Sequence, residues 1–290
     1  MRAAATVLAI GLALFALGSE LLVREAARGE NAYEDYRARF RAAASSAIAI
    51  GDSRTAANID GAVGIENLGN PADDLAIVLA KLEARHRLRP LTRVVLQADP
   101  HQFAAYRLFK DSEGKLDDLL GDPPPLAFLR PHYRQYLFAY WRIALADPRR
   151  FLGTPPSEPT AAASPPMRPG TPAWNELAAS RVQFHVPLAG ADAQPVMRRY
   201  RDIVAALKRD GVAVCLVTHP VSTAYRAAAD RYPSFAAARA AYDRVARDLG
   251  VARADLWDAL DDDAFGDTDH LAPRAAAGYT REVLRRCFAT

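Results

Sequence analysis

Short, largely apolar runs alternate along the chain with longer stretches whose apolar residues recur every three or four positions. The runs at 47–50, 92–98 and 212–217 have the pattern of strands buried on both faces of a parallel sheet. A shorter run at 64–69 ends in glycine, and 251–256 reads as a fifth strand. Residues 73–86 place Leu75, Leu79 and Leu82 on one helical stripe. Residues 195–209 do the same with Val196, Tyr200, Ile203, Val204 and Leu207, and Gly211 stands just past the end, where helices favour it. Further helices are expected at 235–249 and 273–287, the last with Pro273 in its first turn. This alternation predicts an α/β fold, a three-layer sandwich around a mostly parallel sheet. Ligands in such folds bind beyond the carboxyl ends of the strands. Ser53, Gly69, Asp99 and His219 each follow a predicted strand and are therefore expected along one edge.

The N-terminus breaks this pattern. Ala3 to Ser19 are 17 residues without a charge, preceded by Arg2 and followed by Glu20 and Arg24. Extended to Val23, the run is long enough for a transmembrane helix. The positive flank keeps that end in the cytoplasm and places the rest outside. A cleaved signal peptide is the alternative, with Ala16-Leu17-Gly18 as a small-x-small site; a buried core helix is the third reading. No cysteine follows, which excludes a lipoprotein anchor. The organisation is then an anchor at 1–23, a charged, alanine-rich helical stalk at 24–44 and a catalytic domain at 45–290. That domain carries an insertion at about 104–175. Its first part holds Tyr133, Tyr136, Phe138, Tyr140 and Trp141 and reads as irregular helix. Residues 154–172 hold seven prolines and read as a loop.

Composition narrows the classes. Half the residues are apolar, enough for a sizeable core, and a net charge of +3 gives no support for nucleic-acid binding. Cys215 and Cys287 have no Cys-x-x-Cys spacing, so a structural zinc site is not expected. They read as two buried free thiols, with a disulfide as the alternative if the domain is exported. No metal cluster and no dinucleotide or phosphate loop stands out, so the expected mechanism uses no cofactor.

The candidate chemistry lies at the two ends of the domain. Ser53 follows the first strand in Gly51-Asp52-Ser53, and Asp267-Thr268-Asp269-His270 precedes the last helix. A serine hydroxyl needs a base to become nucleophilic, and that base needs orienting. His270 can take the proton, and Asp267 can fix its tautomer, with Asp269 as an alternative partner. The developing oxyanion needs donors, for which the backbone N–H groups of Ser53 and Gly69 are candidates. His101 and His219 are expected at the surface or the edge of the site.

These blocks resemble those of the SGNH (GDSL-like) hydrolases from about residue 45 to the end, apart from the middle insertion. The resemblance implies Ser53 as nucleophile, Gly69 as the second-block glycine, and Asp267 and His270 as the rest of a triad. The third block departs from the family pattern. Gln97-Ala98-Asp99 stands where Gly-x-Asn is usual, and an ionised aspartate cannot donate to an oxyanion. Either Asp99 does another job or Gln97, Asn70 or Arg54 supplies the donor. Arg54, in place of the usual leucine, could also hold an anionic substrate. Membrane-anchored relatives of this kind resemble the teichoic-acid D-alanyl transfer protein and the SGNH-like polysaccharide O-acetyltransferases. That likeness implies a serine acyltransferase or esterase on the outer side of the inner membrane. Its partners would be an acylated envelope glycan or polymer and a membrane-bound O-acyltransferase. A non-catalytic SGNH-like binding partner is the alternative.

Overall fold

The computed structural model describes residues 2–27, 31–71, 73–108, 119, 121, 126–134, 137–146 and 168–289. In chain order its elements are α1 (Arg2–Ala27), α2 (Asn31–Ala42), β1 (Ala47–Ile50), α3 (Ser53–Asn58), β2 (Glu66–Asn67), α4 (Leu75–Leu88), β3 (Arg93–Gln97), α5 (Ala105–Leu108), α6 (Pro131–Arg134), α7 (Leu137–Ala146), α8 (Pro172–His185), α9 (Pro195–Arg209), β4 (Ala213–Thr218), α10 (Thr223–Ala229), α11 (Ser234–Leu249), β5 (Ala252–Asp255) and α12 (Pro273–Phe288). They divide into two compact units, residues 1–42 with 113–164, and residues 43–112 with 165–290.

The second unit is an α/β sandwich. Its five strands are all parallel, in the order β2-β1-β3-β4-β5, so the order reverses between β1 and β3. Ile50 pairs with Leu96, Gln97 with Val217, and Thr218 with Asp255, which aligns the strand ends along one edge. Side chains alternate across a strand. Ala47, Ala49, Val95, Cys215 and Val217 therefore share one face, where Tyr279 and Val283 of α12 cover them. The alternate residues Ile48, Ile50, Val94, Leu96, Val214 and Leu216 are equally buried on the opposite face. Helices α9 and α11 pack on β4 and on each other, and α9 packs on α4.

Cys215 and Cys287 form a disulfide, which corrects the expectation of free thiols. Strand β4 and the last turn of α12 lie in direct contact and bring the two Cα atoms to 5.5 Å, a spacing the bond requires. Strand β2 is shorter than the 64–69 run suggests, because Gly64 turns the chain with φ +76°. Helices α8 and α10 were not legible in the apolar pattern.

In the first unit, α1 contains a 21-residue apolar stretch, Ala5–Glu25, with a mean hydropathy of 2.1. Among the described residues it is the helix long and apolar enough to cross a membrane; a signal sequence meets the same test. Helix α7 packs on it, with Phe15 stacked on Trp141 at 5.7 Å and the Trp141 indole donating to Ser19 Oγ at 3.0 Å. The stalk region contains α2. Tyr136 and residues 154–167 of the expected insertion lie outside the described residues. Its last part does not: α8 begins at Pro172, capped by Thr171, and buries Trp174 in the core of the second unit.

Candidate active site

Ser53 is positioned by a sharp change from strand to helix. After Ile50 the chain passes Gly51, where a Cβ would overlap Thr55 Oγ1 and Gln97 Oε1. Asp52 then caps α3, its Oδ1 accepting the Arg54 N–H at 2.9 Å, so Ser53 is the first helical residue. The Ser53 N–H has no partner among the described residues, as expected for an amide in the first turn of a helix. The location is the reversal of strand order between β1 and β3, where crevices form in open parallel sheets.

His270 arrives on the loop before α12. Phe265 and Leu271 form a bridge that closes residues 266–270 into a tight turn. The Leu271 N–H donates to Asn58 Oδ1 at 2.9 Å, tying that turn to the end of α3. His270 Nε2 lies 3.0 Å from Ser53 Oγ, and His270 Nδ1 lies 3.0 and 3.1 Å from the two oxygens of Asp267. Asp267 Oδ1 also accepts the N–H groups of Asp269 and His270, at 3.0 and 2.9 Å. With Nδ1–H donated to Asp267, Nε2 is left as the acceptor facing the serine. Burial works against a charged His270. The hydrogen bond to Asp267 and the charges of Asp269 and Asp267 outweigh it and raise the pKa above its ordinary value. Burial also works against the Asp267 charge, yet the bond from His270, the Asp269 N–H and the Arg181 guanidinium hold its carboxyl well below the usual range.

Two arginines brace this loop. Arg181, on α8, donates Nη2–H to Asp267 Oδ2 at 3.0 Å and Nη1–H to Asp269 Oδ1. Arg54 lies on the other side, donating Nε–H and Nη2–H to Asp269 Oδ2 at 3.4 and 3.2 Å. Asp269 thus links two cations and stands 3.6 Å from His270 Nδ1, farther than Asp267. The three side chains of Asp267, Asp269 and His270 are close enough to hold a metal ion. Arg181 already compensates both carboxylates, which makes the cluster a poor fit for a further cation.

Several expectations change here. Arg54 is 1% exposed, paired with Asp269, 3.9 Å from Asp99 and 5.1 Å from the centre of the Tyr225 ring. It is a buried brace and does not face a substrate. His101 and His219 are not at the surface or edge; both are buried. His101 donates Nε2–H to Asp52 Oδ2 at 2.6 Å, and burial pushes its pKa down to about 4. His219 sits between Thr55 Oγ1 (3.0 Å) and Tyr279 Oη (2.9 Å), and burial pushes its pKa down to about 3. Both rings are therefore neutral supports. Asp99 is fully buried, accepting from Gln97 Nε2 at 2.6 Å and from the His219 N–H at 2.8 Å, and burial raises its pKa to about 7.

The candidate donors sort themselves by what they already bond. Gln97 gives its oxygen to the Asp52 N–H at 2.6 Å and its amide nitrogen to Asp52 and Asp99, so it is occupied beneath the site. The Gly69 N–H donates to Asn67 Oδ1 at 2.8 Å, and a Cβ on Gly69 would overlap the backbone of Ala56. Gly69 is thus required for close approach to α3, which corrects the expectation that its N–H faces an oxyanion. Asn70 is half-buried and donates its backbone N–H to Gly51 O at 3.0 Å, which places it beside the turn that carries Ser53. Arg181 was missed in the sequence. Thr171 followed by Pro172 is a helix-start signal that could have located α8, but nothing local points Arg181 at His270.

No protein-family model matches the chain, and no curated protein matches it. Among solved structures, the chain is similar to one from Streptococcus pneumonia provisionally named as a platelet activating factor, at 12% identity over 97% of each chain and a TM-score of 0.44.

Proposed function

We propose that this protein is a serine esterase or O-acyltransferase of the SGNH type. The observation that carries this reading is the hydrogen-bonded series Ser53 Oγ, His270 Nε2, His270 Nδ1 and Asp267, which joins two ends of the domain. Ser53 Oγ attacks the acyl carbonyl carbon as its proton passes to His270 Nε2. The carbonyl π pair moves onto oxygen, where the Ser53 N–H is placed to receive it. Collapse breaks the bond to the leaving alcohol, which takes the proton from His270 and leaves an acyl-serine. An incoming hydroxyl, deprotonated by His270, then attacks the acyl carbon; the bond to Ser53 Oγ breaks and Ser53 takes the proton back from His270, with water as acceptor for hydrolysis and a sugar hydroxyl for transfer.

The setting we propose is the cell envelope. Helix α1 would act as a single inner-membrane anchor, with the α/β unit on the periplasmic side. The Cys215–Cys287 disulfide supports an oxidising compartment. The substrate would be an acylated envelope glycan or polymer, and the partner a membrane-bound O-acyltransferase.

The second reading, a binding module without catalysis, is favoured by one feature: Gly69 and Asp99 supply no oxyanion donor. The two separate on one experiment. A fluorophosphonate probe should label the folded protein, and Ser53→Ala should abolish the label. A wild type that stays unlabelled supports the binding module instead.

A further inference from the structure

We infer that the side-chain amide of Asn70 is the second oxyanion donor, held in place by a buried Lys81–Asp73 pair; this rests on the reading of Ser53 as the nucleophile.

An oxyanion hole needs a donor besides the Ser53 N–H, and most nearby candidates are already bonded. Asp99 accepts at both carboxylate oxygens, Gln97 is occupied at both ends, and the Gly69 N–H belongs to Asn67; Arg54 is 1% exposed, bonds Asp269 through Nε and Nη2, and holds Nη1 3.9 Å from Asp99 inside the core. Asn70 differs from all of these. Its backbone is fixed against Gly51, two residues from Ser53, and its side chain is half-buried.

The orientation of its amide is set from behind. Asn70 Nδ2 donates to Asp73 Oδ1 at 2.9 Å, and a carboxylate acceptor there requires the nitrogen, not the oxygen, on that side. Lys81 donates to the other oxygen of Asp73, and both members of the pair are buried to 3% exposure or less. The Arg107 guanidinium holds the Asp73 carbonyl, and the Asp73 N–H returns to Asn70 O at 3.3 Å. A buried ion pair carries a desolvation cost, and here one of its carboxylate oxygens positions a single amide hydrogen. Among the described residues the second Nδ2 hydrogen goes to the neighbouring Pro71 carbonyl, at 3.4 Å. That bond is long enough to be exchanged for a short one to a developing oxyanion, the form in which a donor contributes most. Asn70 touches the reacting oxygen in this scheme. Asp73 and Lys81 act through it and are positioning residues.

The test is steady-state hydrolysis of p-nitrophenyl acetate by the full chain in detergent. Asn70→Ala, and Asn70→Asp as the isosteric change, should lower kcat by about 100- to 1000-fold and leave KM within about threefold. Inhibition by a trifluoromethyl ketone, whose hemiketal carries the oxyanion, should weaken by a similar factor, which a purely structural role would not produce. Circular dichroism and thermal melting establish that both variants are folded. Folded variants that keep wild-type kcat, or that lose activity without weaker ketone binding, overturn the assignment to Asn70. Wild type that fluorophosphonate does not label overturns the nucleophile, and this inference with it; labelled wild type with normal Asn70 variants overturns Asn70 alone.

Discussion

At the residue scale, the pH profile is the most direct report on His270. On the proposed mechanism it must be neutral to take the serine proton, and its pKa is raised above the ordinary 6.5. The kcat/KM for an ester should therefore rise with pH through an apparent pKa above 6.5. Asp267→Asn removes the main raising interaction, so the limb should move to lower pH while kcat falls. A limb that stays in place would mean another group sets it. The two arginines separate by burial. Arg54→Met leaves buried Asp99 without its nearby cation and Asp269 with Arg181 alone, and should cost about 3–5 kcal/mol in urea unfolding. Arg181 is partly exposed, so Arg181→Gln should cost under about 1 kcal/mol yet lower kcat about tenfold by loosening Asp267. The meeting of Ser53, Asp267 and His270 was legible because each sits in a short motif at a predicted element boundary. Arg54 was misread as a substrate contact because residue type alone gives no burial, and its partner Asp269 is 215 positions away.

At the element scale, two glycines test how tightly β1, α3 and β2 are fitted. A methyl at Gly51 meets side-chain atoms that can shift in part, whereas one at Gly69 meets the Ala56 backbone, which cannot. Gly51→Ala should cost about 1–3 kcal/mol, and Gly69→Ala should cost more and abolish activity by displacing the turn of Ser53; urea unfolding and ester hydrolysis measure both. The apolar runs predicted β1, β3 and β4 almost residue for residue, because strands buried on both faces leave no room for polar positions. Helix α9 was equally clear, since one face meets the sheet and the other water. Helix α8 was hidden because it follows a proline-rich stretch and buries little beyond Trp174, Ala178 and Val182, too few to set a period.

At the scale of the whole molecule, the Cys215–Cys287 bond fastens α12, which follows His270, to the interior strand β4. It closes a loop of 72 residues, so Cys215→Ala with Cys287→Ala should lower the unfolding free energy by about 2–4 kcal/mol, and addition of reductant to wild type should give the same loss. Equal stability with and without reductant would mean that the bond contributes nothing. The alternation of strands and helices made the class of fold legible. Pairing of the cysteines was not, because it depends on how far α12, which packs on both β5 and β4, reaches across the sheet.

The bond between Ser53 and His270 spans 217 positions. A chain emerging N-terminus first therefore makes its serine early and its base almost last. Long-range contacts of this kind close late, after the loop entropy between them has been overcome. Until α12 settles on the sheet, Ser53 is an ordinary alcohol. On the proposed mechanism, incomplete chains would be silent toward esters, and reactivity would arrive in one step with the completed fold.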